Sequence, residues 1–275
     1  MAKIIEVNDI SLKELEVFTR LTETELRMKK DKENGVFIAE SPNVINTALD
    51  MGYKPISLLM ERKRINTQGK SIVERILDVP VYTADDEVLK DIVGYPLTRG
   101  ILCAMERPEP KNPIEVIKDA KRIAVLEDIV DTTNVGAIFR SAAALGIDGI
   151  ILSPSSADPF NRRCIRVSMG TVFQIPFAYI SEDISFWPHK GLEFLKENGF
   201  TTVSMALCDD TVSIEDERLK KEEKLAIILG TEGTGLKKET IEKSDITVKI
   251  PMYNGVDSLN VGNAAAIAFW ELRKK

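Results

Sequence analysis

At 275 residues, 44% of them apolar, the chain is long enough to bury two modest cores, and its net charge of −6 excludes a protein that coats nucleic acid by bulk attraction. Its three cysteines, Cys103, Cys164 and Cys208, are scattered and lie in no CxxC or Cys/His cluster, so they read as small buried apolar residues and not as a disulfide framework or a metal site. No apolar run approaches the roughly 18 residues of a membrane span, and the N-terminus lacks a basic-then-apolar leader, so a cytoplasmic location is expected.

Apolar spacing over residues 11–33 predicts one or two helices. Short apolar strands at 36–39, 56–60, 79–82 and 101–105 then alternate with helical stretches at 44–51, 72–77 and 87–93, which reads as a small α/β unit. Three prolines between Arg107 and Pro113 interrupt any regular element, and a linker is expected over 108–116, between domains at 1–107 and 117–275. Longer apolar strands follow at 123–126, 149–152, 174–179, 202–206, 225–229 and 246–250. Near-continuous apolar strands separated by helices predict a mostly parallel sheet buried on both faces. A final helix over 260–275 carries an apolar face expected from Val261, Ala264, Ala265, Ile267, Ala268 and Leu272.

The single histidine, His189, falls in a loop-like stretch with no nucleophile elbow or orienting carboxylate, which removes the Ser-His-Asp and Cys-His classes of hydrolase. Nucleic-acid contact would have to use local basic clusters: Arg27, Lys29, Lys30 and Lys32; Arg62, Lys63 and Arg64; or Arg162, Arg163 and Arg166.

In parallel sheets, ligands collect where strands run into helices. Three such junctions stand out. The first carries Asn134 and, six residues on, Arg140; Asn134 has the chemistry of a helix N-cap. The second is a buried strand running into Gly230, Glu232, Gly233 and Gly235. It matches neither the GxGxxG nor the GxxxxGK phosphate fingerprint, and Glu232 makes phosphate binding electrostatically unattractive. The third runs from Ile250, Pro251 and Met252 to Ser258, Leu259 and Asn260, either Ser258 or Asn260 being able to cap the last helix.

Taken together and in this order, the junctions resemble the three signature motifs of the SpoU/TrmH family of RNA ribose 2′-O-methyltransferases, within the SPOUT superfamily. Asn134-x(5)-Arg140 is similar to the first motif, Gly-Thr-Glu-Gly-Thr-Gly at 230–235 to the second, and Ile250-Pro251-Met252 with Ser258-Leu259-Asn260-Val261 to the third. Residues 158–170 resemble the family's segment leading into a short helix. The resemblance is strong over 120–275 and looser at the N-terminus, where residues 35–40 resemble an L30e-like substrate-binding domain. Two departures stand out: Gly262-Asn263 in place of the usual small and β-branched pair, and Ser41 where that N-terminal domain commonly has glycine.

The resemblance implies an α/β fold with a deep trefoil knot in a C-terminal SPOUT-type parallel sheet. It implies S-adenosylmethionine held by Gly230, Gly235, Ile250 and Leu259, and a catalytic set of Arg140, Asn134, Glu232, Ser258 and Asn260. It also implies a homodimer paired through the C-terminal domain, no metal, and an RNA substrate, most simply structured ribosomal RNA as in the family's 23S and thiostrepton-resistance groups. Transfer RNA is the alternative substrate. The family's proposed base is the first-motif arginine, although a guanidinium stabilises a developing alkoxide or clamps a phosphate more naturally than it accepts a proton. A ribosome-assembly protein that kept the fold without the chemistry is one rival. A nucleotide-dependent oxidoreductase is the other, but no glycine fingerprint with a ribose-binding acid supports it.

Overall fold

A computed structural model describes residues 2–7, 12–19, 21–28, 35–93, 100–208 and 210–274. The chain forms two compact units: one from Met1–Glu109 with Phe160–Phe173, the other from Pro110–Pro159 with Gln174–Lys275.

The first unit holds a five-stranded mixed sheet built from β1 (Lys3–Glu6), β2 (Val36–Glu40), β3 (Pro55–Glu61), β4 (Pro80–Ala84) and β5 (Ile101–Glu106), in the order β1-β4-β3-β5-β2. Strand β5 runs antiparallel to both β2 and β3, whereas β1, β4 and β3 are parallel. The outer strand β1 was not foreseen. Its four residues are largely exposed and pair only with β4, so no apolar alternation marks it. The helical stretch expected over 11–33 resolves into short pieces, among them Glu23–Arg27 with a Thr22/Glu25 capping box in which the Thr22 N–H donates to the Glu25 carboxylate at 2.7 Å. Lys29, Lys30 and Lys32 lie outside the described residues.

Residues Phe160–Phe173 fall inside the range expected for the second domain, yet they pack with the first unit. The reason is an aromatic cluster. Phe37 lies 5.1 Å from Phe160 and 5.4 Å from Phe173 between ring centroids, and Tyr53 lies 4.9 Å from Phe173. Burial pushes the Tyr53 hydroxyl up to about 12. An ion pair reinforces the packing: Arg162 donates at 3.1 Å to Glu40, which is buried at the end of β2. Asn161 caps the Arg162–Val167 helix through its Oδ1, which accepts from the Arg163 N–H at 2.9 Å.

The second unit contains β6 (Arg122–Leu126), β7 (Gly149–Leu152), β8 (Phe177–Tyr179), β9 (Thr201–Met205), β10 (Val212–Ser213), β11 (Leu225–Leu229) and β12 (Ile246–Lys249). They form one seven-stranded sheet in the order β10-β12-β9-β11-β6-β7-β8, with every pairing parallel. Strands β6, β7 and β11 are buried at every position, which is why, Arg122 at the head of β6 apart, their sequences are continuous apolar runs instead of alternating ones. Strand β8 is shorter than expected. A 3-10 turn occupies Thr171–Phe173, and Pro176 has no N–H to give to a ladder.

Arg122, at the start of β6, is the largest fully buried side chain. Its guanidinium donates to the carbonyls of Leu272 at 2.7 Å, Lys121 and Glu223 at 3.0 Å and Glu222 at 2.9 Å. It thereby satisfies the last open carbonyl of the Val261–Leu272 helix. That helix packs on the Thr132–Leu145 helix; a Cβ built on Gly262 would sit 3.0 Å from Ala137 Cβ. Cys103 and Cys164 are buried as expected, but Cys208 is exposed. His189 stands at the exposed first position of the His189–Glu197 helix and not in a loop.

Candidate active site

Strand β6 runs through a polar loop into the Thr132–Leu145 helix. The cap is Asp131, whose Oδ1 accepts from the Thr133 N–H at 2.7 Å, and not Asn134, as the sequence suggested. Asn134 is instead buried within the first turn, and its amide is free to work elsewhere.

It meets Asn260. The Asn260 Nδ2 donates to Asn134 Oδ1 at 2.9 Å and also to Glu232 Oε1. On its other side, Asn260 Oδ1 accepts from the N–H groups of Gly262 at 2.9 Å and Asn263 at 3.4 Å, capping the last helix. One amide therefore ties together the first-motif helix, the glycine loop and the third motif. Residues that are 126 and 28 positions apart in sequence converge on it.

The glycine loop, 230–236, leaves β11 and turns sharply. Thr231 and Gly235 pair antiparallel, with the Gly235 N–H donating to the Thr231 carbonyl at 3.1 Å. A Cβ on Gly230 would come within 2.5 Å of Gly235 C and Leu236 N, so no side chain fits where the loop closes on itself. Gly235 itself adopts φ +70°, a left-handed conformation open to glycine without penalty.

This loop forms one wall of a cavity of about 800 Å³. The ends of β9 and β12 contribute Met205, Leu207 and Ile250 to its lining, and Met252 and the stretch 257–261 complete it. Gly230, Gly235, Ile250 and Leu259, the expected cofactor contacts, all line this one cavity, together with Glu232, Ser258 and Asn260. The lining mixes apolar side chains with polar groups, among them two carboxylates, Glu232 and Asp257, and one ammonium, Lys249. A nucleoside-sized ligand carrying positive charge suits that chemistry, and the volume is ordinary for such a ligand, which typically occupies about 300–1,000 Å³.

Arg140 stands apart from the other expected residues. It is exposed, does not line the cavity, and makes no hydrogen bond or ion pair among the described residues. Six residues separate it from Asn134, which on a helix of 3.6 residues per turn turns it away from Asn134's face.

Sequence reasoning missed Met205, Leu207, Lys249 and Asp257, because their part in the site depends on which strand ends adjoin β11. It also passed over Glu127 and Asp128, although two consecutive acids directly after an apolar strand were a visible signal. No group of three or more His, Cys, Asp or Glu side chains suited to a metal occurs among the described residues.

The same architecture occurs in solved structures. An S-adenosylmethionine-bound rRNA methyltransferase from Sinorhizobium meliloti superimposes with a TM-score of 0.81, covering 98% of this chain and 97% of its own at 24% identity. The SpoU methyltransferase AviRb from Streptomyces viridochromogenes superimposes with a TM-score of 0.76, covering 94% of this chain and 96% of its own at 20% identity. Among sequence relatives, an uncharacterised tRNA/rRNA methyltransferase of Mycobacterium tuberculosis is 34% identical over 94% of this chain and 87% of its own length. The 23S rRNA (guanosine(2553)-2′-O)-methyltransferase RlmP of Bacillus subtilis is 28% identical over 80% of this chain and 94% of its own. The profile of the SpoU rRNA Methylase family matches residues 121–270, the span that contains the three junctions, the cavity and the Asn134–Asn260–Glu232 link. The chain belongs to the SpoU rRNA methylase family.

Proposed function

We propose that this protein transfers a methyl group from S-adenosylmethionine to a ribose 2′-hydroxyl of RNA. The observation that carries this reading is the Asn260 amide joining Asn134 to Glu232 at the rim of a glycine-walled cavity, within a chain of the SpoU family. Bound S-adenosylmethionine supplies an electrophilic methyl group on a sulfonium. Gly230, Gly235, Ile250 and Leu259 line the cavity that would hold it, and the Glu232 and Asp257 carboxylates outnumber the one lining cation, Lys249, which leaves a charge suited to a cationic ligand.

Methyl transfer in line requires the 2′-oxygen to be positioned and to shed its proton. Glu232, already fixed by Asn260, orients polar groups at the cavity mouth, with Ser258 beside it. Arg140 has its guanidinium uncommitted but lies outside this cavity; in the proposed homodimer it would serve a site completed across the interface, stabilising the developing oxyanion or holding the adjacent phosphate, since a guanidinium has five donors and no acceptor.

Several finer assignments belong to the same proposal. The substrate is ribosomal RNA, the reading favoured by RlmP and by the family's description, with transfer RNA as the second candidate. The first unit selects that RNA, as an L30e-like module would, through its exposed cations Arg163 and Arg166, since Arg64 and Arg162 are already held by Glu61 and Glu40. The protein works as a homodimer through the second unit, where Tyr253, Val256 and Trp270 are exposed apolar side chains, Tyr253 at 82%. A knot is supported by the path of the chain: after β12, beyond β9 in the sheet, it passes the β11 loop and returns to pack its last helix beside Thr132–Leu145. A cytoplasmic setting fits RNA modification, and no helix among the described residues is long and apolar enough to cross a membrane.

Radiolabelled S-adenosylmethionine incubated with unmodified 23S rRNA and tRNA, followed by nuclease digestion, tests the reading. A labelled 2′-O-methyl nucleoside from ribosomal RNA is expected. Label in a base, or no binding of S-adenosylmethionine at all, would overturn it.

A further inference from the structure

Two acids at the exit of β6, Glu127 and Asp128, meet the far end of the glycine loop through a single residue, Lys237. Glu127 is 1% exposed. Its N–H donates to the Leu229 carbonyl at 2.9 Å, which extends the β6–β11 ladder to the last residue before Gly230. Its Oε1 accepts from the Lys237 N–H at 2.5 Å, and its Oε2 accepts from Trp187 Nε1 at 2.5 Å and from the Thr240 hydroxyl. Lys237 is the N-cap residue of the Lys238–Lys243 helix and provides no side-chain cap of its own, so Glu127 supplies the acceptor that this helix start lacks. Asp128 holds the other end of the same lysine: its Oδ2 pairs with Lys237 Nζ at 2.9 Å, while its Oδ1 accepts from Ser153 Oγ at 2.9 Å. Asp128 reaches this position with φ +53°, in the left-handed region, where an aspartate is tolerated but not favoured.

The loop between Gly230 and Leu236 thus has two fixed ends. One is the β11 strand end, joined to Glu127 N–H; the other is Lys237, gripped by its backbone through Glu127 and by its ammonium through Asp128. A buried carboxylate bearing three donors is a costly arrangement to leave incomplete, which makes the grip rigid.

We propose that Glu127 and Asp128 are positioning residues that clamp Lys237 and so hold the 230–236 loop in its binding-ready shape. This rests on the methyltransferase reading for its ligand but not for the clamp itself. Neither acid lines the cavity, so their effect on S-adenosylmethionine passes through the loop. The Asp128–Lys237 pair is the adjustable half, because both side chains are partly exposed, whereas Glu127 also carries the Trp187 and Thr240 contacts of the core.

The test uses the full-length protein with Asp128→Asn, Lys237→Met and the double variant, and Glu127→Gln as a further probe. Titration calorimetry with S-adenosylmethionine is expected to show the Kd raised about tenfold in each single variant and by no more in the double, since all three break one pair. Methyl transfer at saturating S-adenosylmethionine should remain near that of the unaltered protein, so that KM moves and kcat does not. Hydrogen exchange in ligand-free protein should accelerate at the amides of 231–236 while the core strands keep their protection. For Glu127→Gln the fluorescence of buried Trp187 should change as well. An unchanged Kd in Lys237→Met, additive losses in the double variant, or unaltered exchange at 231–236 would each overturn the clamp. If the unaltered protein bound no S-adenosylmethionine, the methyltransferase reading would fall, while the exchange measurement would still decide the clamp.

Discussion

Asn260 Nδ2 donates to Asn134 Oδ1 at 2.9 Å, although 126 residues separate them in sequence. The same side chain caps the last helix through its Oδ1, so one residue serves the site with its nitrogen and the fold with its oxygen. Substitutions separate the two roles. Asn260→Ala should cost about 1–2 kcal/mol through the lost cap and abolish methyl transfer as well. Asn260→Asp keeps an oxygen for the cap but removes the donor and sets a second carboxylate beside Glu232. Its thermal midpoint should fall less than that of the alanine variant while methyl transfer is lost equally. Calorimetric melting and a turnover assay on both proteins check this.

Arg140 is exposed and makes no hydrogen bond or ion pair among the described residues. Arg140→Ala should therefore leave stability within about 0.5 kcal/mol of the original, as surface substitutions do, retain S-adenosylmethionine binding, and remove methyl transfer. Arg140→Lys should recover little, because a point charge does not reproduce a planar fork of donors. Unchanged turnover in the alanine variant would remove Arg140 from the chemistry.

Ser41 occupies φ 91°, ψ 149°, a conformation open essentially to glycine alone. Its hydroxyl is buried without a hydrogen-bond partner, so the side chain brings strain and an unsatisfied group together. Ser41→Gly should stabilise the protein by about 1–3 kcal/mol, measured by denaturant unfolding. A fall in midpoint would show that the serine has a partner at this site in solution.

Burial pushes the Asp128 carboxyl up, but hydrogen bonds from Lys237 and Ser153 and the charge of Lys237 outweigh it and hold the group below the ordinary aspartate value. Its folded state thus binds fewer protons than the unfolded chain, whose aspartates titrate near about 3.9. The stability it contributes is present above that value and is lost as pH falls through the folded one. Asp245, held down by Lys196 and Thr202 against the same effect of burial, acts in the same sense. Unfolding midpoints should decline below about pH 4, and Asp128→Asn should flatten part of that decline.

Arg122 donates to four carbonyls from inside the core. Arg122→Met fits the volume but leaves those acceptors without a donor, and it should cost roughly 2–4 kcal/mol, with the loss visible in equilibrium unfolding. An effect below about 0.5 kcal/mol would mean that water replaces the guanidinium, as it does at ordinary surface sites.

The sequence by itself determined the second unit's parallel sheet, because strands such as β7 and β11 are buried on both faces and had to be apolar throughout. Part of the candidate site was legible locally as well. The glycines at 230, 233 and 235 and a cap at Ser258 or Asn260 could be read from the chain, whereas the closure of 230 on 235 and the choice of Asn260 as the cap came with the fold. The anomaly at Ser41 was legible too, as a serine in a glycine position, though its physical cost appeared only with its backbone angles. Tertiary structure alone decided the rest. It made Asp131 the cap and so freed Asn134 for Asn260, and it brought β9 and β12 beside β11 to complete the cavity. It also packed Phe160 and Phe173 with Phe37 and Tyr53 of the first unit, and it turned Glu127 and Asp128 onto Lys237. Each of those depends on contacts between residues distant in the chain, whose partners are chosen by packing and hydrogen-bond satisfaction and leave no periodicity or spacing in the sequence to read.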